Sequence, residues 1–229
     1  MTRLWPVIHV LDVEQSCANA KIARDAGAYG VFLIQMNGRD ALLDPIGRVL
    51  QDCYPELHIG VNYLSLGPLA ALERALAQGF AATWSDRPGV RSDMLSAEAN
   101  EVASRLAAHP GHRFFSSVAF KYQPIDPDPG QAARRAHALG MVPTTSGAAT
   151  GQAPAETKLA TIRDALGPKA PLALASGLTP DNASDLLPYL TDALVSTGIS
   201  RLPDHFDSEL LNQLIALARR EGRSGDAVR

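Results

Sequence analysis

Thr144–Ser200 reads TTSGAATGQ, an amphipathic run, LALASGLTPDN, a second amphipathic run, and ALVSTGIS. Three short apolar segments each close in glycine and hydroxyl-bearing residues, with a helical pattern between each and the next. Apolar strands joined by helices run parallel, because a parallel return needs a long crossover. Glycine at a strand end lets the backbone approach an anion. In eight-stranded α/β barrels the turns after the last strands are a frequent seat for phosphate. The stretch points both to a fold and to a class of ligand.

The same alternation runs outward through the chain. Strands are predicted near Pro6–Leu11, Gly30–Gln35, His58–Tyr63, Ala81–Trp84, Phe114–Phe120, Met141–Thr145, Leu172–Ala175 and Ala193–Ser196. Helices are predicted near Glu14–Ala26, Asp40–Cys53, Leu69–Gln78, Ser96–Ala108, Gly130–Leu139, Ala155–Leu166, Pro180–Leu190 and Asp207–Glu221. Gly27, Gly79 and Gly140 read as helix-ending glycines, and Gly67-Pro68 and Thr179-Pro180 as helix starts. An open doubly wound sheet usually opens with a glycine-rich turn, whereas Leu11-Asp12-Val13-Glu14 stands here. The predicted fold class is therefore α/β, a single (β/α)8 TIM barrel over residues 1–221, with residues 222–229 as a flexible C-terminal tail.

Composition narrows the function. The chain has 229 residues, 46% hydrophobic, enough for one large core. Its formal charge of −3 lacks the basic excess that nucleic acid or an anionic membrane would require. No apolar run reaches the length of a membrane span. Two cysteines, Cys17 and Cys53, make no disulfide framework and read as free thiols. MTRLWPVIHVLD is too short an apolar run for a signal peptide, so a cytoplasmic location is expected. There is no HExxH, CxxC, GK[ST] or GxSxG, and metal and cofactor independence is the expectation.

In a barrel the C-terminal ends of the strands face the ligand. That filter selects His9 and Asp12 after strand one, Gln35 and Asn37 after strand two, and Asn62 after strand three. It adds Trp84 and Asp86, then Lys121, Thr145, Ser176, Ser196 and Thr197 from the later strands. Lys121 closes the apolar run FFSSVAFK, where an ammonium is costly to bury without a task. It can bind an anion, protonate an enolate or form a Schiff base; alternatively its head reaches water or pairs with Asp86 or Asp12. His9 and Asp12 are the candidate proton carriers; a core histidine and a helix cap are the alternatives. Gln35, Asn37, Asn62, Trp84, Asp86 and Thr145 are candidate substrate contacts. Gly147, Gly151, Gly177 and Gly198, with Ser176, Ser196 and Thr197, are the candidate phosphate cradle.

Six segments occur in an order that resembles the BtpA/SgcQ family. They are VIHVL (Val7–Leu11), FLIQMNGRD (Phe32–Asp40), IGVNYL (Ile59–Leu64), VAFKYQ (Val118–Gln123), TSGAATGQAP (Thr145–Pro154) and ASGLTPDNASDLL (Ala175–Leu187). SGLTPDN is also similar to a turn of phosphoribosylanthranilate isomerase and related phosphate-binding barrels. The resemblance implies a (β/α)8 barrel with site positions at His9, Asn37, Asn62, Lys121, Gly147, Thr150, Gly151, Ser176 and Gly177. The chain departs from the family pattern at Leu64-Ser65-Leu66-Gly67, where an Arg-Asn-Asp cluster is usual. It departs again at Tyr122, where the family tends to have histidine, and at Asp12-Val13-Glu14, which replaces a proline-rich stretch.

Two functions follow as expectations. One is a metal-independent isomerase or lyase acting on a small phosphorylated, sugar-derived molecule, with Lys121 at the barrel mouth. The other is a non-catalytic ligand-binding or assembly factor of the BtpA type. A homo-oligomer is compatible with either, since barrels commonly dimerise.

Overall fold

The computed structural model describes residues 1–38 and 40–226. Eight parallel strands close into one barrel in sequence order. They are β1 (Arg3–His9), β2 (Gly30–Ile34), β3 (His58–Asn62), β4 (Ala82–Ser85), β5 (Arg113–Ser117), β6 (Val142–Thr145), β7 (Ala173–Ala175) and β8 (Asp192–Val195). The helices are α1 (Val13–Ala26), α2 (Leu43–Cys53), α3 (Pro68–Ala77), α4 (Ala97–Ala107), α5 (Pro129–Ala138), α6 (Glu156–Leu166), α7 (Ala183–Leu186) and α8 (Ser208–Asp226). Closure comes from β1 pairing β8, with Arg3 opposite Asp192 and Pro6 opposite Val195.

Each strand is buried on both faces, one against the helices and one inside the barrel, which is why GVFLI of β2 is apolar throughout. Trp5, Phe32 and Phe115 fill the interior: Phe115 meets Phe32 and Trp5 edge to face at 5.2 and 5.7 Å between centroids, and Trp5 lies tilted on Phe32 at 5.2 Å. Trp84 packs on Phe32 and Phe120 above them. Gly60 is required by this packing: a Cβ there would enter the Phe32 ring. Below the aromatic layer Asp192, wholly buried, accepts from Arg3, Trp5 Nε1 and Arg113. The lower end of the barrel is thus filled by one carboxylate held between two guanidinium groups.

The borders differ from expectation where tertiary bonds outweigh local pattern. The strand expected over Phe114–Phe120 stops at Ser117; one further bond, Val118 N–H to Thr144 O, precedes a left-handed Ala119 at φ 45°. The helix expected over Pro180–Leu190 shortens to α7 and a 3-10 turn at Leu187–Tyr189. Asn182 takes up the preceding residues in a side-chain turn, accepting from Thr179 N–H and donating to Gly177 O. The first residues expected in α2 form a 3-10 turn at Asp40–Leu42, where Asp40 accepts from the Ser65 N–H and hydroxyl. Helix α8 runs to Asp226, past the expected border at Glu221; residues 227–229 of the expected tail lie outside the described residues. Cys17 and Cys53 are free. No helix among the described residues is long and apolar enough to cross a membrane.

Candidate active site

A cavity of about 300 Å³ opens at the C-terminal mouth, and every strand or the loop behind it contributes to its wall. Strand residues Val7, Ile34, Trp84, Ala175 and Leu194 form the floor, with Phe120 beside them. Above the floor stand His9, Asp86, Arg87, Lys121, Tyr122, Gln123, Thr150, Ser176, Ser196 and Thr197.

Lys121 reaches the cavity from a loop rather than from the strand. Its N–H donates to Ser146 Oγ at 2.8 Å. The turn beneath it is tied by Lys158, whose ammonium donates to Ala119 O at 2.6 Å and Ser146 O at 2.8 Å. Lys121 Nζ donates to Thr150 Oγ1 at 3.3 Å. Burial holds its pKa below the ordinary lysine range, opposed by the neighbouring Tyr122 and Asp86. Asp86 moves the opposite way: burial raises its carboxyl pKa, while a bond from Asn62 Nδ2 at 3.2 Å and the charge of Lys121 oppose the rise. Gln123 Nε2 holds the Asp86 carbonyl at 2.5 Å. Asn62 therefore stands behind Asp86 rather than in the cavity wall.

His9 ends β1, and its Nδ1 lies 3.1 Å from Asp204 Oδ1. A carboxylate accepts, so Nδ1 carries the proton and Nε2 is left as the basic atom of the neutral ring. Asp204 is held firmly. Its backbone is left-handed, at φ 59°, and its carbonyl accepts from Gln15 Nε2 at 2.6 Å and Asn19 Nδ2 at 2.8 Å. Both amides lie on the buried face of α1.

The late turns combine exposed hydroxyls with tight backbone packing. Ser176, at φ 104°, lines the cavity and accepts from Gly151 N–H at 2.8 Å. Gly177 packs so closely on the backbone of Gln152 and Ala153 that a Cβ would not fit. Gly198 does the same against Leu178 and Thr179, and Gly147 against Gln152 and Ala153. These three glycines let the loops behind β6, β7 and β8 interlock; the hydroxyls of Ser176, Ser196 and Thr197 are what the interlocked loops present.

The remaining expected positions lie outside the cavity wall. Asp12 caps α1, accepting from Gln15 N–H at 2.8 Å. Gln35 is buried, donates to Val10 O at 2.9 Å and accepts from Asn37 N–H at 2.6 Å, so it shapes the β2 turn. Asn37 is exposed on that turn. Thr145 donates to Ala119 O at 3.3 Å under the Lys121 loop. Among the described residues no three His, Cys, Asp or Glu side chains cluster as a metal would need.

Asp204, Arg87, Tyr122 and Gln123 were not selected from the sequence. One signal was present: Gln15 and Asn19, four apart, put amides on the inward face of α1, and buried amides need partners. The backbone adds another. The non-glycine residues at positive φ among those described are Ala119, Tyr122, Ser176 and Asp204, all on loops at the barrel mouth. Such strain concentrates where surrounding structure enforces a functional geometry.

No protein-family model matches this chain and no curated protein matches it, so the BtpA/SgcQ resemblance stands on its motifs alone. Solved structures do match. A 3-hexulose-6-phosphate synthase superposes with a TM-score of 0.71 at 12% identity, covering 94% of this chain and 99% of that chain. The dimeric phosphoribosylanthranilate isomerase from Thermotoga maritima, studied as monomers, gives 0.66 at 15% identity, covering 96% and 100%. The (S)-3-O-geranylgeranylglyceryl phosphate synthase from Thermoplasma acidophilum, in complex with sn-glycerol-1-phosphate, gives 0.67 at 13% identity, covering 96% and 94%. At these identities the likeness establishes the architecture, and the chain is a (β/α)8 barrel.

Proposed function

We propose that this protein is an enzyme of the isomerase or lyase type acting on a small phosphorylated molecule held at the barrel mouth. The observation that carries the reading is the meeting of Lys121 with His9 and its Asp204 partner around one cavity. The named barrel enzymes, which include a synthase and an isomerase of phosphorylated compounds, support it. The hydroxyls of Ser176, Ser196 and Thr197, with the positive charges of Arg87 and Lys121, suit a phosphate. His9 Nε2 takes a proton from the carbon beside a carbonyl, and the Lys121 ammonium stabilises the enolate oxygen that results. Where that carbon bears a hydroxyl, passing the hydroxyl proton to the former carbonyl oxygen and returning the abstracted proton to the former carbonyl carbon completes an isomerisation. Run from a β-hydroxy carbonyl compound, His9 instead takes the hydroxyl proton, the carbon–carbon bond breaks and the same enolate forms. Asp86 sets the field around Lys121 in either case.

The test is a screen of phosphorylated aldehydes and ketones by ³¹P NMR. Conversion of at least one compound, lost by about 10²–10⁴-fold in Lys121→Met, is expected. Conversion unaffected by that change would refute the role. Borohydride trapping of an adduct at Lys121 would specify the Schiff-base form of the chemistry.

A second reading, a non-catalytic binding or assembly factor of the BtpA type, draws on a different observation. Among the described residues every exposed large apolar side chain except Met1 follows a strand end, on the face of the mouth. A protein that binds in the cavity yet converts nothing in the screen would favour it.

A further inference from the structure

The lining of the cavity says what the phosphate is attached to. Of the strand residues that form it, Val7, His9, Ile34, Trp84, Ala175 and Leu194, only His9 and Trp84 carry polar side-chain atoms. Trp84 Nε1 is already committed to Ser117 Oγ at 3.0 Å. The floor therefore offers a polyol little beyond His9. Each sugar hydroxyl buried there without a partner would lose its bonds to water and weaken binding. Phe120 extends the apolar surface under the Lys121 loop. Met36, 62% exposed, and Leu64, 37% exposed, carry it from the cavity wall out to solvent. Charged and hydroxyl groups are confined to the loops above.

We propose, resting on the reading of the site as a phosphate-binding one, that its ligand is an amphiphilic phosphomonoester. Its phosphate lies among the loop hydroxyls and cations, its reacting carbonyl lies beside Lys121 and His9, and an otherwise apolar body, alkyl or aromatic, covers the floor and leaves past Met36 and Leu64. This replaces the sugar-derived body expected from the sequence. A polar floor is what a polyol phosphate needs, because its hydroxyls must regain on binding the hydrogen bonds they give up to water. An apolar floor gains instead from every methylene it covers.

Titration calorimetry of the full chain with inorganic phosphate, ethyl, butyl and hexyl phosphate, ribose 5-phosphate and n-hexanol tests this. Affinity is expected to rise from ethyl to hexyl phosphate by up to roughly fourfold per methylene. Ribose 5-phosphate should bind more weakly than butyl phosphate. Met36→Ser, a change at an exposed position, should weaken hexyl phosphate by at least about threefold and leave ethyl phosphate unchanged. Equal affinity along the phosphate series, or tighter binding of ribose 5-phosphate, would overturn the apolar body and leave the phosphate reading intact. Hexanol binding as tightly as hexyl phosphate would overturn the phosphate instead. Sedimentation showing a dimer abolished by Met36→Asp, with no alkyl phosphate bound, would give the apolar rim to a second copy of the chain and overturn the proposal.

Discussion

Asp204 and His9 stand 195 positions apart in the chain and 3.1 Å apart in the structure. Barrel closure brings them together: β1 pairs with β8, and the loop behind β8 folds back over the start of α1. The contact fixes which ring nitrogen carries the proton and leaves the other turned from Asp204. In the proposed reaction Asp204 acts through His9 and does not itself touch substrate.

Asp204→Asn tests that positioning role. Asparagine tolerates the left-handed backbone and keeps the carbonyl that Gln15 and Asn19 bind. The fold should therefore survive, while an amide nitrogen can donate to Nδ1 and stabilise the wrong tautomer. Turnover should fall about 10²-fold with little change in KM. A fall in thermal stability that tracks the fall in kcat would instead assign Asp204 a structural role.

Lys121 works as an ammonium in this account, and its pKa lies below the ordinary 10.5. The alkaline limb of kcat/KM should therefore fall below pH 10.5, the charged form being lost as pH rises. Asp86 supports the charge, so Asp86→Asn should move that limb lower still. Lys121→Arg, which keeps its charge, should remove the limb. A pH–rate profile of the three proteins checks the order.

The same burial has a stability consequence of opposite sign. A lysine whose folded pKa is lower than its unfolded one is disfavoured by folding while charged. The penalty is present at neutral pH and disappears as pH rises through the folded value toward 10.5. Lys121→Met should therefore raise stability at neutral pH, and the gain should shrink in alkaline buffer. Urea unfolding at two pH values measures it.

His112, on the far side of the barrel, should govern part of the acid stability. Its Nδ1 donates to Phe80 O at 3.0 Å and its Nε2 accepts from Thr83 Oγ1 at 2.8 Å, a pairing that suits the neutral ring. Burial drops its pKa to about 4 from 6.5. The unfolded chain therefore takes up a proton first, and stability falls as pH drops from about 6.5 to about 4. His112→Gln should flatten that slope in unfolding midpoints taken across the window.

The barrel was legible because eight apolar runs, each short and each followed by a helical pattern, allow little else. The exit of β5 was not. Val118, Ala119 and Phe120 continue the apolar run of a strand, and only the ties from Lys158 and Thr145 show why the chain turns at Ala119. Lys121 was legible as a costly cation at the mouth, and His9 as a polar residue at a strand end. Asp204 was not, since no spacing links it to His9. The glycines at 177 and 198 read in the sequence as places for backbone to approach a phosphate; in the structure they pack against neighbouring loop backbone instead. The cause lies in loops from three strands interlocking, which one strand's sequence does not reveal.

In the proposed reaction Lys121 and His9 together move a proton at a carbon beside a carbonyl. Proton NMR in D2O, with phosphorylated ketones and aldehydes added to the protein, reads that step directly. The signal of that carbon's hydrogen should disappear with the wild-type protein, and at least about 10²-fold more slowly with Lys121→Met or His9→Gln. Exchange at the wild-type rate in both variants, or no exchange in the wild type with any member of a broad panel, would contradict it.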